Sequence, residues 1–218
     1  MTNEGNRLLP IFVNGHGLRA LVVGGGPVAS AKVGQLLDAG LHVTVVSPEL
    51  GPALAMLAAA GEISWEARAH DPADLDGRDL VICATDDAAL NGEIAAAARA
   101  RRILVNVVDT PDECTFYLSA VLERGAIKIA VSTDGGSPAF ARRLRAEIAE
   151  IITPEHEILL DALAELRPEV QRRLPGPHER RRAFFDAVLD SDCLTLLREE
   201  GRSSLTARLQ AMLDHAAV

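Results

Sequence analysis

Apolar residues recur along this chain in two rhythms. In the first half, short continuous apolar runs alternate with stretches of helical period. Ala20–Val23, His42–Val46, Ile63–Ala67, Asp79–Ala84 and Ile103–Asn106 predict strands. Continuous runs such as Asp79–Ala84 are the kind that parallel sheets bury on both faces. Between the first two runs, Ala29, Val33, Leu36, Leu37 and Gly40 share one face of a helix that Gly40 can close. Pro52–Ala60 reads as an Ala-rich helix ended by Gly61, and Leu90–Arg101 as another helix. Strands separated by helices predict βαβ units and a parallel sheet, ending near residue 112.

The rhythm then changes. Phe116–Leu122 and Ile127–Ser132 are β-type runs separated by residues 123–126, which predicts an antiparallel hairpin. Ser137 as N-cap with Pro138 at the first helical position predicts a helix to about Ile152. Residues 154–218 read as helical, with breaks near Pro168, at Pro175-Gly176-Pro177 and near Gly201. The expected division is 1–112, 113–152 and 153–218.

Composition narrows the function classes. The net charge of −9 and the 3% aromatic content argue against nucleic-acid binding. Cys83, Cys114 and Cys193 lie far apart with no CxxC, which points to a reducing compartment without a disulfide framework. No apolar run approaches membrane-spanning length, and MTNEGNRLLPIF shows no signal-peptide core, so a cytoplasmic location is expected. The six histidines show neither H-x-x-x-H nor H-E-x-x-H spacing, so no preformed metal site is expected.

Chemistry concentrates where strands end. Leu21-Val22-Val23 runs into Gly24, Gly25 and Gly26, then Pro27-Val28 and a helix: G-x-G-x-x-A between a strand and a helix. Such a turn lets a pyrophosphate approach bare backbone at a helix N-terminus; a Gly-rich structural turn is the plainer reading. At the second strand's end stand Ser47, Pro48 and Glu49, with no Lys or Arg nearby in sequence. A 2′-phosphate would find no counter-charge there, so NAD is favoured over NADP; the same residues also suit a helix-entry turn. Thr85-Asp86-Asp87 and Asn106-Val107-Val108-Asp109 follow two further strands. Asp86 and Asp87 suit helix caps. Asp109 is the expected acid: partial burial in the crevice would raise its pKa toward proton transfer, against a simple turn role before Thr110-Pro111. The polar turn from Ser132 through Thr133, Gly135 and Ser137, with Arg142, Arg143 and Arg145 following, suits an anion, although solvated helix faces explain such arginines too.

The chain resembles the precorrin-2 dehydrogenase family, which includes the N-terminal module of bifunctional sirohaem synthases. The resemblance rests on LLPIFVNGHGLRALVVGGGPVASAKVGQLLDAG, ATDDAALN (84–91), NVVDTPDECTF (106–116), AVSTDGGSPAFARRLR (130–145) and ERRRAFF (179–185). NVVD followed by the serine–glycine turn is far more specific than the glycine motif alone. The resemblance implies a Rossmann-like domain, a β-type dimerisation segment and an all-helical C-terminal domain, assembled as a homodimer. It implies oxidation of precorrin-2 to sirohydrochlorin with NAD as hydride acceptor; some relatives also insert ferrous iron (Fe2+), as substrate, to make sirohaem. The family's essential aspartate falls on Asp109, and its nucleotide contacts on Pro27-Val28 and Ser47–Glu49. The assigned cofactor residues are thus Gly24–Val28, Ser47–Glu49, Thr85, Asp86, Asn106 and Val107. Ser132, Thr133, Gly135, Ser137 and Arg142 are assigned to the carboxylate-rich tetrapyrrole. Two departures stand out. Ser119 replaces a family proline, and no methyltransferase domain follows before Val218. The rival from another class is a nucleotide-sensing regulatory module without catalysis, which would need neither the serine–glycine turn nor a trailing helical domain.

Overall fold

Five parallel strands form a sheet in the order β3-β2-β1-β4-β5. They are β1 (Arg19–Val23), β2 (His42–Val46), β3 (Ser64–Glu66), β4 (Leu80–Cys83) and β5 (Leu104–Val107) in this computed structural model, which describes residues 8–217. The first seven residues, part of the stretch read for a leader, lie outside the described residues. The crossovers carry α1 (Pro27–Asp38), α2 (Pro52–Ala59) and α3 (Ala88–Ala100). Strand alternation sends Ala20 and Val22 into one core with Ala29, Val33 and Leu54. It sends Leu21 and Val23 into a second core with Ile94, Ala95 and Leu75. Both sheet faces are therefore covered, as the continuous apolar runs require. Gly40, at φ 81°, closes α1: its N–H and that of Leu41 donate to Leu37 O and Leu36 O.

Contacts divide the chain into two units, Met1–Leu118 and Ser119–Val218. The second holds an antiparallel hairpin, β6 (Ala120–Arg124) and β7 (Ile127–Val131), against which α4 (Pro138–Ile151) packs. It also holds a bundle of α5 (Pro154–Arg173), α6 (His178–Leu189), α7 (Cys193–Glu200) and α8 (Arg202–Ala216). Leu159, Val170, Phe184, Leu197, Leu205 and Leu213 meet in the bundle core.

Three details differ from the sequence expectation. The hairpin's first strand starts at Ala120, because Phe116 and Leu118 instead pack on the first unit's core. Its turn contracts to Gly125-Ala126, with Gly125 at φ 52°. Pro168 does not break a helix. It lies inside α5, where a missing N–H is tolerated because Ala162, Leu163, Leu166 and Val170 hold both flanks in the core.

Candidate functional site

The sheet order reverses direction at β1. β1 leads to β2 on one side, and β3 returns to β4 on the other. The carboxyl ends of β1 and β4 therefore flank a crevice, the place where open α/β sheets bind ligands. The three glycines at that point do different jobs. Gly24, buried at φ 124°, donates its N–H to Val46 O at 3.0 Å, and a Cβ there would strike the Ala84 carbonyl. A Cβ on Gly25 would strike the Glu49 carbonyl and sit 2.7 Å from Ser47 Oγ. A Cβ on Gly26 would meet nothing within 4 Å. Gly24 and Gly25 thus let main chain meet main chain, while Gly26 faces open space. Gly25→Ala is expected to cost the first unit about 1–3 kcal/mol through overpacking. A urea midpoint unchanged from wild type would show that the Ser47–Glu49 turn moves aside freely.

Gly26 is the N-cap of α1 and supplies no side-chain acceptor; Pro27 follows at the first helical position. The first-turn N–H groups of Val28 and Ala29 have no intrahelical acceptor. Gly26, Pro27 and Val28 are exposed. An uncapped helix start with open space in front of it fits a pyrophosphate, by hydrogen bonding and by dipole.

At the end of β2, Ser47 is buried, and its Oγ donates to Glu49 O at 2.7 Å. This serine clamps the turn against which Gly25 packs, and Pro48 and Glu49 stand exposed beyond it. Trp65 Nε1–H donates to Ser47 O at 2.9 Å, so the indole of β3 lies beside the same strand end. Sequence distance gives no cation here, yet the sheet brings one. Ser47 N–H and Arg68 N–H both donate to Glu66 O, at 3.2 and 2.9 Å. The Arg68 guanidinium is committed to Asp74, at 2.9 and 2.6 Å on the two carboxylate oxygens. That hydrogen bonding holds the Asp74 carboxyl down at about 2.

Beyond β4, Thr85 Oγ1 donates to Asn91 Oδ1 at 2.7 Å, and Asn91 Nδ2 returns a bond to Thr85 O at 3.0 Å. Asn91, which the sequence did not single out, pins the loop that carries Asp86. Asp87 caps α3 through Leu90 N–H, and Asp86 is exposed. At β5, Asn106 and Val107 are buried. Asn106 Nδ2 donates to Phe116 O at 3.0 Å, so this side chain ties down the following loop. Val108 N–H donates to Cys83 O at 3.0 Å, and Asp109 comes next. Asp109 adopts φ 59°, a left-handed conformation uncommon outside glycine. The partial burial expected of it is absent: the residue is exposed. Asp109 stands one residue past the last strand-edge bond, that of Val108, on an exposed left-handed corner before the chain returns to β5 through Thr115 N–H to Val105 O. Cys114 holds that corner closed, its Sγ accepting from Val107 N–H at 3.2 Å and lying 3.4 Å from Thr110 O. Ala84 N–H donates to Val23 O, so the ends of β1, β4 and β5 form one continuous edge. Asp109 lies two strand spacings, about 10 Å, from the glycine turn along that edge.

In the second unit, the Ser132–Ser137 turn is organised by its own side chains. Ser132 Oγ accepts from Asp134 N–H, Thr133 Oγ1 from Ser137 N–H, and Ser137 Oγ caps α4 through Phe140 N–H. Gly135 is at φ 80° and exposed. Arg142 and Arg145 are exposed without an ion pair among the described residues, whereas Arg143 pairs with Glu147 at 2.7 Å. The run Arg180-Arg181-Arg182 is engaged within its own unit, Arg182 lying 3.6 Å from Asp186. Arg180 donates to Ala216 O, and Arg181 to Leu174 O and Gly176 O, satisfying carbonyls beyond helix ends. Among the described residues, no group of three His, Cys, Asp or Glu side chains could hold a metal, and no helix is long and apolar enough to cross a membrane.

Three family models match the chain in succession. Residues 11–120 match a putative NAD(P)-binding family, 124–151 the sirohaem biosynthesis protein central region, and 158–213 the sirohaem synthase dimerisation region. The chain belongs to the sirohaem synthase family. Siroheme synthase of Methylobacillus flagellatus is 42% identical over 200 residues, covering 90% of this chain and 43% of that protein. Siroheme synthase of Methylococcus capsulatus is 41% identical over 188 residues, covering 86% of this chain and 40% of that protein. This family member thus spans less than half the length of these relatives. The solved structure of SirC, a precorrin-2 dehydrogenase, superposes with a TM-score of 0.77 at 22% identity. It covers 94% of this chain and 100% of that one, which shows a shared fold: a Rossmann-like domain, then a β-hairpin segment and a helical end, the last of these holding the matched dimerisation region.

Proposed function

We propose that this chain is an NAD-dependent dehydrogenase that oxidises precorrin-2 to sirohydrochlorin, as a homodimer in the cytoplasm. The observation that carries this reading is the exposed carboxylate of Asp109, held on a left-handed corner of the edge that also bears the open Gly26 turn. The two lie on one strand-end edge, at a spacing a bound dinucleotide can bridge. The names of the relatives and of the solved neighbour support the substrate and the pathway, and the matched dimerisation region supports the homodimer.

The division of labour follows from the residues. Within Gly24–Val28, Gly24 and Gly25 would let the turn close, and the N–H groups of Gly26 and Val28, with Ala29 N–H behind them, would hold the pyrophosphate beside Pro27. Ser47–Glu49 would shape the ribose end, with Thr85, Asp86, Asn106 and Val107 forming the wall between ribose and nicotinamide. NAD, when bound, supplies the hydride acceptor. Asp109 takes the proton that leaves the macrocycle as the hydride departs; desolvation as the macrocycle covers the carboxylate makes it a better base. In this reading residues 1–112 serve the cofactor, 113–152 carry the dimer contacts and the Ser132–Ser137 turn, and 153–218 complete the dimer. Ser132, Thr133, Gly135, Ser137 and Arg142 bind carboxylates of the tetrapyrrole. The relatives' name also supports insertion of ferrous iron as a second activity, with iron as substrate.

Incubating the purified protein with precorrin-2 and NAD should give the sirohydrochlorin spectrum and one NADH per turnover. Tight NADH binding with no product would favour the regulatory-module reading instead.

A further inference from the structure

We infer that Asp74 sets the choice of NAD over NADP by withholding Arg68 from the ribose end of the coenzyme site. The inference rests on the dinucleotide reading above and adds the residues that would decide which dinucleotide.

In βαβ nucleotide folds, the group at the end of the second strand meets the adenine-side ribose, and a nearby arginine accommodates a 2′-phosphate. Here that strand end is Ser47, whose Oγ is already donated to Glu49 O. Arg68 leaves the neighbouring strand from the same Glu66 carbonyl that accepts Ser47 N–H. It is thus the cation that the fold brings to the ribose end. Its planar fork would suit a phosphate. The fork is occupied instead: Nη1 and Nη2 grip both Asp74 oxygens at 2.9 and 2.6 Å, and Nη1 also donates to Ala69 O at 3.1 Å.

Asp74 is built to keep that grip. It occupies the third position of the short turn Pro72–Leu75, where it accepts Asp71 N–H at 2.8 Å in a capping box. Its side chain is 8% exposed, against 44% for Arg68. The pair is therefore anchored on the acid and loose on the base, so removing the acid's charge would free a half-exposed cation. The other cation at this acid, Arg78, is itself held, donating Nε to Asp74 O at 3.0 Å and Nη1 to Thr44 Oγ1 at 2.8 Å. His70 Nδ1 lies 3.3 Å from Asp74, and burial holds the imidazole pKa below its ordinary value. Glu66 sits 3.8 Å from Arg68, and Glu49 stands exposed at the strand end. With Arg68 neutralised by Asp74, those two carboxylates leave the ribose end net negative, which tolerates a 2′-hydroxyl and repels a 2′-phosphate.

The test is direct binding of NADH and NADPH to the full chain. Trp65 is the chain's single tryptophan and is bonded to Ser47 O, so energy transfer from its indole to the reduced nicotinamide reports both ligands. Asp74→Asn keeps an acceptor for Asp71 N–H while removing the charge. It should raise NADPH affinity about tenfold, or about 1.4 kcal/mol, and move NADH affinity less than about twofold. Adding Arg68→Gln to that variant should erase the gain. A merely structural role for Asp74 would weaken both ligands together and leave their ratio unchanged, and that result would overturn the inference. Should Asp74→Asn fail to fold, Arg68→Gln in the wild-type background decides: an unchanged NADPH-to-NADH ratio supports a withheld arginine, and a fall in NADPH affinity overturns it. Wild type that binds neither coenzyme would sink the dinucleotide reading itself, a separate failure.

Discussion

Asp109→Asn is expected to slow dehydrogenation by a factor of about 10²–10⁴, the range a positioned proton acceptor supplies, while NADH affinity stays near wild type. Asparagine is the informative replacement. It matches aspartate in shape and, like aspartate, tolerates the left-handed conformation seen at φ 59°. The corner should therefore keep its form, with Cys114 Sγ still accepting Val107 N–H. Only the ability to take a proton is lost. Asp109→Ala tests the same point less cleanly, because alanine is strained at that φ and the corner would relax. Both variants should lose turnover, and their NADH affinities should agree with wild type because the glycine turn lies about two strand spacings away. Steady-state rates with precorrin-2 and NAD, set beside an NADH titration, separate chemistry from binding. Wild-type turnover in the asparagine variant would remove Asp109 from the proton step and leave it a turn residue.

The sheet was legible because its signal is local. Continuous apolar runs such as Leu80–Cys83 can be satisfied only by burial on both faces, and turn-forming residues mark where they stop: Gly24 after β1, Ser47-Pro48 after β2 and Thr85-Asp86 after β4. The helix starts at Pro27, Pro52 and Pro138 were legible for the same reason, since a proline at the first helical position needs no partner elsewhere. What sequence reading missed depends on contacts between distant residues. Pro168 reads as a breaker, yet the bundle core on either side keeps α5 continuous. Phe116–Ser119 has strand composition but no strand partner, because Asn106 and the first core claim Phe116. Arg68 is some twenty residues from Ser47 along the chain and one hydrogen-bonded carbonyl away across the sheet. Asp109's exposure was equally hidden, since a strand end says where a side chain begins and not which way the turn sends it.

Gly26→Asp gives the sharpest separation of folding from binding in this chain. Gly24 and Gly25 are fixed by steric need, since a Cβ at either would strike a neighbouring carbonyl. Gly26 has no such need: a Cβ there meets nothing, and its φ of −84° is open to any residue. Aspartate at this position is moreover a favoured N-cap, whose carboxylate would accept from the free first-turn N–H groups of α1. The variant should therefore fold at least as well as wild type, with a thermal midpoint unchanged or higher. Those same N–H groups are the proposed seat of the pyrophosphate, and they would now be occupied by a fixed negative charge. Coenzyme binding should fall on the order of 100-fold, about 2.8 kcal/mol, by the tenfold-per-1.4 kcal/mol relation. Gly26→Ala fills the same space without the charge or the cap and should lose much less. A variant with intact NADH affinity would mean that the diphosphate does not sit at the start of α1. A variant that lost affinity together with its fold would mean that Gly26, like Gly25, is structural.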